Sequence, residues 1–444
     1  MISPARSLLP LFVAALALLP AYGAPGQKWA TSWAASVQGP YPSGNPSAQP
    51  NLSLVFPSPE TGARDQTFRL ILRPDIWGRQ ARLQFSNALG TRPVTFDGVF
   101  VGLQMSGAAL VPGTNLPATF GGKAAVTIPA GQSAWSDPIS LTFVHKPFVG
   151  VELAGRKLSV SFHVAGESGP MTWHAKALTT SYVTMPGAGN KGQEAGEAAF
   201  PNSTASWYFL DAVDMMAPAD TRVIVAFGDS ITDGTASTLN GDDRWPDVLS
   251  RRLHSANNSH VSVINAGIGG NQIVGPAEYS PQKPFAGGPS AIQRLDRDVL
   301  SLSGVSTVIW LEGINDFSKN GNAGVSSVES GMKEVVTRLR ARIPGVRIIG
   351  ATLTPALGST NAAHGFAEQD EKRKALNEFI RGKELFDGVA DFDKAIADPQ
   401  TGSMRAEFVP ESTTGGPGDK LHPNRLGYSA MGMAVDLNLP MPAR

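Results

Sequence analysis

A chain of 444 residues with 42% hydrophobic side chains has ample material for a buried core and for about two to three domains, which excludes disordered and fibrous readings. Lys plus Arg and Asp plus Glu number 37 each, so the net charge is zero and the summed field offers no attraction for nucleic acid or an anionic membrane. Cys is absent, which excludes a disulfide framework, a lipid-modified Cys and a thiolate zinc site.

The chain opens on a segment that reads as a secretory signal, residues 1–24. Arg6 supplies the positive flank, Leu8 to Leu19 the apolar core, and Ala21-Tyr22-Gly23 a small-x-small cleavage site. Cleavage near Gly23 is expected to release a periplasmic or secreted protein. The apolar core is shorter than the roughly 20 residues that span a bilayer, so no stable membrane insertion is expected after cleavage.

Residues 28–184 carry strand signals and almost no helical period. Lys157 to Val164 and Ala81 to Asn87 alternate apolar and polar, and each such run is followed by Gly, Pro, Asn or Asp. Repeated short strands with turn punctuation predict an all-β sandwich, jelly-roll-like in type. Its Trp77, Trp135 and Trp173 are either a platform for stacking a glycan or part of the core. Residues 185–220 follow as a linker and connecting segment, Gly-rich and poor in large apolar side chains between 186 and 205.

From 221 to 440 the pattern changes to strands alternating with amphipathic helices. Val223 to Phe227, Ser262 to Asn265, Thr307 to Leu311 and Val346 to Gly350 are largely apolar, as parallel strands buried on both faces should be. Val325 to Ile343 and Glu368 to Arg381 carry helical spacing with charged outer faces. This alternation predicts a doubly wound α/β sheet, which binds ligands at the carboxyl ends of its strands.

Four blocks sit at such ends or near the chain's close. Gly228-Asp229-Ser230-Ile231 stops a strand and delivers a hydroxyl at the mouth of a helix. Asn265 to Asn271, with Gly267, Gly269 and Gly270, and Gly313-Ile314-Asn315-Asp316 follow their own apolar runs. Asp419-Lys420-Leu421-His422-Pro423 places an acid and an imidazole three residues apart, on one face of a single turn. A Ser hydroxyl is a weak nucleophile until a base takes its proton, and an imidazole suits that task, which makes His422 the candidate base for Ser230.

Taken in this order, the blocks resemble the SGNH (GDSL-type) hydrolase family over residues 221 to 438, with Ile231 where the family name emphasises Leu. The resemblance implies a serine esterase that needs no metal or organic cofactor. It implies Ser230, Asp419 and His422 as the catalytic triad. It also implies an oxyanion hole made by the backbone N–H groups of Ser230 and Gly270 and the side-chain amide of Asn315. His364, in the loop after Thr352-Leu353-Thr354-Pro355, is a candidate substrate contact. His145, His163, His174, His254 and His260 are scattered singly with no metal-ligand spacing, and Asp229, Asp233, Asp316, Asp391 and Asp393 read as structural acids.

The substrate expected is a small-molecule or polysaccharide ester, foremost an O-acetylated carbohydrate, because the chain is read as exported and shows no run of aliphatics that would line a long acyl tunnel. A lipid or lysophospholipid esterase is the alternative enzyme reading. A carbohydrate-binding or adhesion module that uses the hydrolase domain only as scaffold is the alternative from another class. Oligomeric state is not readable from the sequence.

Overall fold

The computed structural model describes residues 26–145, 153–256, 260–382 and 384–440, and the expected signal, residues 1–24, lies outside them. The N-terminal region is built from antiparallel sheets. Its main strands are β1 (Gln27–Ala34), β2 (Arg64–Leu72), β3 (Gln80–Ser86), β4 (Val94–Ser106), β5 (Leu158–Glu167), β6 (Ser181–Val183) and β7 (Leu210–Pro218). One sheet runs β1-β7-β3 and the other β6-β2-β5-β4, each extended by shorter strands. Phe85 of β3 meets Phe96 of β4 and Phe162 of β5, each at 5.1 Å between ring centroids, so aromatic rings join the two sheets. Such pairs add about 0.5–1.5 kcal/mol each beyond the area they bury.

One expectation changes here, and one open alternative is decided. The segment 185–220 is not a linker throughout: β7 is the central strand of its sheet, pairing with β1 on one side and β3 on the other. Earlier in it, Gly187 and Gly189 donate to the carbonyls of Arg64 and Asp65, so the Gly-rich stretch lies along β2. The alternating run in β5 does not face water on its polar side. Ser161 accepts from Arg69 Nε at 2.8 Å, and His163 bonds Asp97 and Asp65 at 2.6 and 2.9 Å. Fully buried Arg69 then donates to the carbonyls of Ala108, Glu194 and Gly196, which ties the Gly-rich segment over this face. Among the three tryptophans, Trp77 and Trp173 are buried in the core, while half-buried Trp135 stacks on Arg82, whose guanidinium carbon lies 4.3 Å from the ring centroid. That arrangement leaves no three-ring platform.

The second half forms one parallel sheet from β8 (Arg222–Gly228), β9 (Val261–Gly267), β10 (Val305–Leu311), β11 (Arg347–Ala351) and β12 (Gly388–Ala390). The order is β9-β8-β10-β11-β12, and every pair is parallel. Helices α1 (Trp245–Ser255) and α4 (Arg425–Ala434) pack together, as do α2 (Val325–Arg342) and α3 (Ala367–Arg381). Trp245-Pro246 opens α1 as expected, with Pro in the first turn where its missing N–H costs nothing.

Directional bonds between buried groups fasten the two halves. Asp214 of β7, fully buried, accepts from Thr31, from Arg82 at 2.8 Å and from Ser303 at 2.8 Å. Asp75 accepts from the β9 backbone at Val263 (2.7 Å), from His254 of α1 and from Ser250. Removing one partner from such a set leaves a buried charge uncompensated, at about 3–5 kcal/mol. Expression of residues 221–440 alone is therefore expected to give insoluble or inactive protein, measured as soluble yield and turnover of a small chromogenic ester; a soluble, fully active fragment would refute the shared core.

Burial pushes the Asp211 carboxyl up to about 7, with Asp298 adding to the rise and Arg297 opposing it. The folded state thus holds a proton that the unfolded chain, at about 3.9, gives up, and this group's contribution is full below about pH 4 and lost as pH rises through about 7. Asp211→Asn is expected to melt several degrees above the parent at pH 8 and level with it at pH 4. A constant difference in melting temperature across that range would contradict the assignment.

Candidate active site

The nucleophile turn is local in origin. β8 ends at Gly228, Asp229 caps the next turn by accepting from the Ile231 N–H at 2.9 Å, and Ser230 opens a single helical turn, Ser230–Asp233, closed by Gly234. As the first residue of that turn, Ser230 has a backbone N–H with no partner four residues back. Gly267 lets β9 pass close beneath: a Cβ there would lie 2.2 Å from the Asp233 nitrogen.

The three residues expected as a triad lie within hydrogen-bond reach of one another. Ser230 Oγ lies 2.8 Å from His422 Nε2, and His422 Nδ1 lies 2.7 Å from Asp419 Oδ2. The other carboxylate oxygen, Oδ1, accepts from the N–H groups of Leu421 and His422, both at 2.9 Å. Burial works to raise the Asp419 carboxyl, but the bond to His422, the charge on that ring and the two N–H groups hold it well below the usual carboxylate range. Asp419 is thus anionic at neutral pH. It fixes the tautomer with hydrogen on Nδ1, leaving Nε2 free to accept the Ser230 proton.

The residues expected as oxyanion donors line the same cleft. Ser230, Gly270, Asn315, His364 and His422 line one cavity of about 270 Å³. Asn315 Nδ2 spends one hydrogen on the Asn271 carbonyl at 3.0 Å, which aims the amide and leaves its second hydrogen for a ligand. Gly270 sits at φ +87°, and a Cβ there would come within 2.7 Å of Asn45 Nδ2. Asp316 braces this loop by accepting from the Ile273 and Val274 N–H groups at 2.9 and 3.0 Å, and burial pushes its carboxyl up to about 7.

His364 stands in the cleft wall. Gln369 Oε1 takes the Gly365 N–H, so its Nε2 is the end that donates to His364 Nδ1 at 2.7 Å. His364 therefore carries its hydrogen on Nε2. Burial, and then the neighbouring His422, push its pKa down to about 4 against the pull of Asp419, so the ring is neutral near neutral pH. Its loop is tied to the triad, since Ser359 Oγ and the Thr360 N–H both donate to the Asp419 carbonyl.

Other cleft residues come from places the motifs do not mark. Asn45 and Lys176 reach in from the N-terminal sheets, and Gln272 and Phe285 from the loop after Gly270. Asp233 does more than close a turn: Oδ2 accepts from the Gly269 N–H at 2.9 Å, and Oδ1 lies 3.1 Å from His174 Nε2. Asp391 and Asp393 bond Arg381 away from the cleft, as structural acids should. Only the Gly-rich run before Gly270 hinted that something must crowd it; nothing local pointed to Asn45 or Lys176.

Residues 226–430 match the model of the GDSL-like lipase/acylhydrolase family. A search of curated proteins found no match. Among solved structures, a carbohydrate acetylesterase from Sinorhizobium meliloti shares 16% identity, covering 48% of this chain and 96% of its own, at a TM-score of 0.35. A carbohydrate acetylesterase family member from the same organism shares 20% identity over 48% and 95%, at 0.36. The aryl esterase of M. smegmatis shares 17% over 48% and 95%, also at 0.36.

Ser230→Ala is expected to abolish turnover of a small chromogenic ester while leaving the melting temperature nearly unchanged, because one buried hydroxyl is lost and no cavity larger than an atom opens. Asp419→Asn, which loses the tautomer control, is expected to lower kcat by about 10²–10⁴ with little change in KM. Substantial activity in the Ala variant would remove Ser230 as nucleophile.

Proposed function

Residues 226–430 belong to the GDSL-like lipase/acylhydrolase family, and from that premise we propose that this chain is an exported serine esterase that removes short acyl groups, foremost acetyl, from a carbohydrate. Ester hydrolysis follows from the family and the assembled triad; the substrate class is supported by the cleft. Its wall is mostly polar, with Asn45, Lys176, Gln272, Asn320, Asn361 and His364 presenting amides, an ammonium and an imidazole, against Phe285 and Leu421 as the large apolar groups. Such a lining suits a hydroxylated alcohol and a small acyl group. A second groove of about 300 Å³, lined by Thr235, Glu411 and Thr414, adjoins Asp419 and His422 from the other side and would extend the polar track for a polymer.

In this reading Ser230 Oγ attacks the ester carbonyl as His422 Nε2 takes its proton. The oxyanion is met by the Ser230 and Gly270 N–H groups and by Asn315 Nδ2, each worth about 3 kcal/mol of barrier. The protonated His422 returns the proton to the departing alcohol oxygen, leaving an acyl-Ser230 ester. Water, deprotonated by His422, then attacks the acyl carbon, and His422 passes that proton to Ser230 Oγ as its bond to the acyl carbon breaks and the acid leaves. The neutral His364 Nε2–H is placed to donate to a substrate oxygen. Export is supported by residues 1–24. The jelly-roll-like sandwich and the doubly wound sheet remain the finer readings of the two sheet systems, and the triad geometry counts against a scaffold-only hydrolase domain.

Acetate release from a panel of acetylated polysaccharides, run beside a series of p-nitrophenyl esters, tests the proposal. Highest kcat/KM on acetyl esters is expected, with a loss of about tenfold or more by the octanoyl ester. A profile that is flat or rises with chain length would replace the carbohydrate reading with the lipid one.

A further inference from the structure

The hydrolysis proposed above needs the Gly270 N–H aimed at the developing oxyanion, yet that N–H belongs to a peptide between two glycines. Neither Gly269 nor Gly270 has a Cβ to bias the peptide plane, and Gly270 already sits at φ +87°. No Cβ of either residue therefore opposes rotation of this peptide by half a turn, which would present a carbonyl oxygen where a donor is required.

One side chain holds the plane. Asn45 Nδ2 donates to the Gly269 carbonyl at 2.7 Å, across 224 residues of sequence. A trans peptide is planar with its C=O and N–H on opposite sides, so turning the Gly269 carbonyl toward Asn45 turns the Gly270 N–H away from it. The bond also polarises the peptide and makes that N–H a better donor. The amide orientation of Asn45 is itself determined, because the same Nδ2 reaches the Ala286 carbonyl at 3.3 Å, and two carbonyls accept only from the NH₂ end.

The loop that carries Asn45 is fixed on its N-terminal side. Trp173 Nε1 donates to the Ser43 carbonyl at 3.0 Å, Gln38 Nε2 donates to Ala286 O at 3.0 Å, and Tyr279 bonds Gly39. On the other side of Gly269, its own N–H is taken by Asp233.

We propose that Asn45, supplied by the N-terminal sheets, is a positioning residue for the oxyanion hole: it locks the Gly269–Gly270 peptide so that the Gly270 N–H faces the reacting carbonyl. This rests on the serine-esterase reading, and the two are separable. Labelling of the full chain by a fluorophosphonate, lost in Ser230→Ala, reports that reading by itself.

With p-nitrophenyl acetate, Asn45→Ala is expected to lower kcat about 10- to 100-fold with KM within about twofold, since the lost stabilisation belongs to the transition state. Affinity for a small alkylboronic acid, which forms a tetrahedral adduct on Ser230, is expected to fall by the same factor. Asn45→Asp keeps the volume but sets a carboxylate oxygen against the carbonyl, so its kcat is expected to be lower still. A packing role would give the opposite order, with Asp near the parent and Ala lowest, and the isosteric Asp variant decides the matter if Ala is unstable. A labelled enzyme whose Asn45 variants retain the parent kcat, or raise KM alone, overturns the positioning role; an unlabelled parent overturns the esterase reading beneath it.

Discussion

The site depends on register. Gly228 of β8 pairs with Gly267 of β9 on one side and with Leu311 of β10 on the other, so three neighbouring strands end at one level. From that level Ser230 follows β8 by two residues, Gly270 follows β9 by three and Asn315 follows β10 by four. Each block is short, so their separation is set by strand spacing of about 4.8 Å rather than by long flexible loops. A slip of one residue in either ladder would turn every side chain of a strand to the opposite face and carry a donor out of reach of the oxyanion.

Beneath this edge a single buried cation holds the strand ends. Arg294, fully buried, donates to the carbonyls of Gly228 at 2.7 Å and Ala266 at 2.8 Å and to Asn271 Oδ1 at 2.7 Å, while its guanidinium carbon sits 4.1 Å from the Phe227 ring centroid. Where strands stop pairing, their carbonyls lose partners, and an orphan carbonyl away from water costs about 1–3 kcal/mol. Arg294 donates to the Ala266 carbonyl and adds a second donor to the Gly228 carbonyl, which also accepts from the Ile268 N–H at 3.0 Å, and Asp298 at 3.0 Å balances its charge. The same cation faces Asp229 and Glu312, whose carboxyls burial pushes up. Cation and acids together keep the strand ends, the nucleophile turn and the Asn271 loop in one rigid block.

What the sequence disclosed and what it hid divide along this line. Ser230, Asp419, His422 and the Gly270 loop were legible because each works within a few residues of its own strand end or turn, where local spacing and geometry coincide. Alternation marked the run with Ser161 and His163 as a strand, but it reports only that two faces differ, not what covers the second. Residues 185–220 were read as linker and connecting segment, and β7 within them was missed because a strand's place in an antiparallel sheet depends on its partners, here β1 and β3, more than a hundred residues earlier. Asn45, Lys176 and His174 carried no signal at all: their partners lie in the other half of the chain, and nothing periodic or motif-like marks a residue that acts by filling another segment's hydrogen bonds.

The chemistry of the contact between the halves explains why the N-terminal sheets are not an independent appendage. An apolar interface is non-directional and tolerates sliding at little cost. Here the contacts nearest the site are bonds from side chains to backbone or to buried acids, such as Gln38 to Ala286, Asn45 to Gly269 and His174 to Asp233, and each loses strength within a few tenths of an ångström or a modest tilt. An interface of that kind fixes position rather than merely adhesion. The sheet edge that carries Ser230 gains a wall whose polar groups stand at set distances from it.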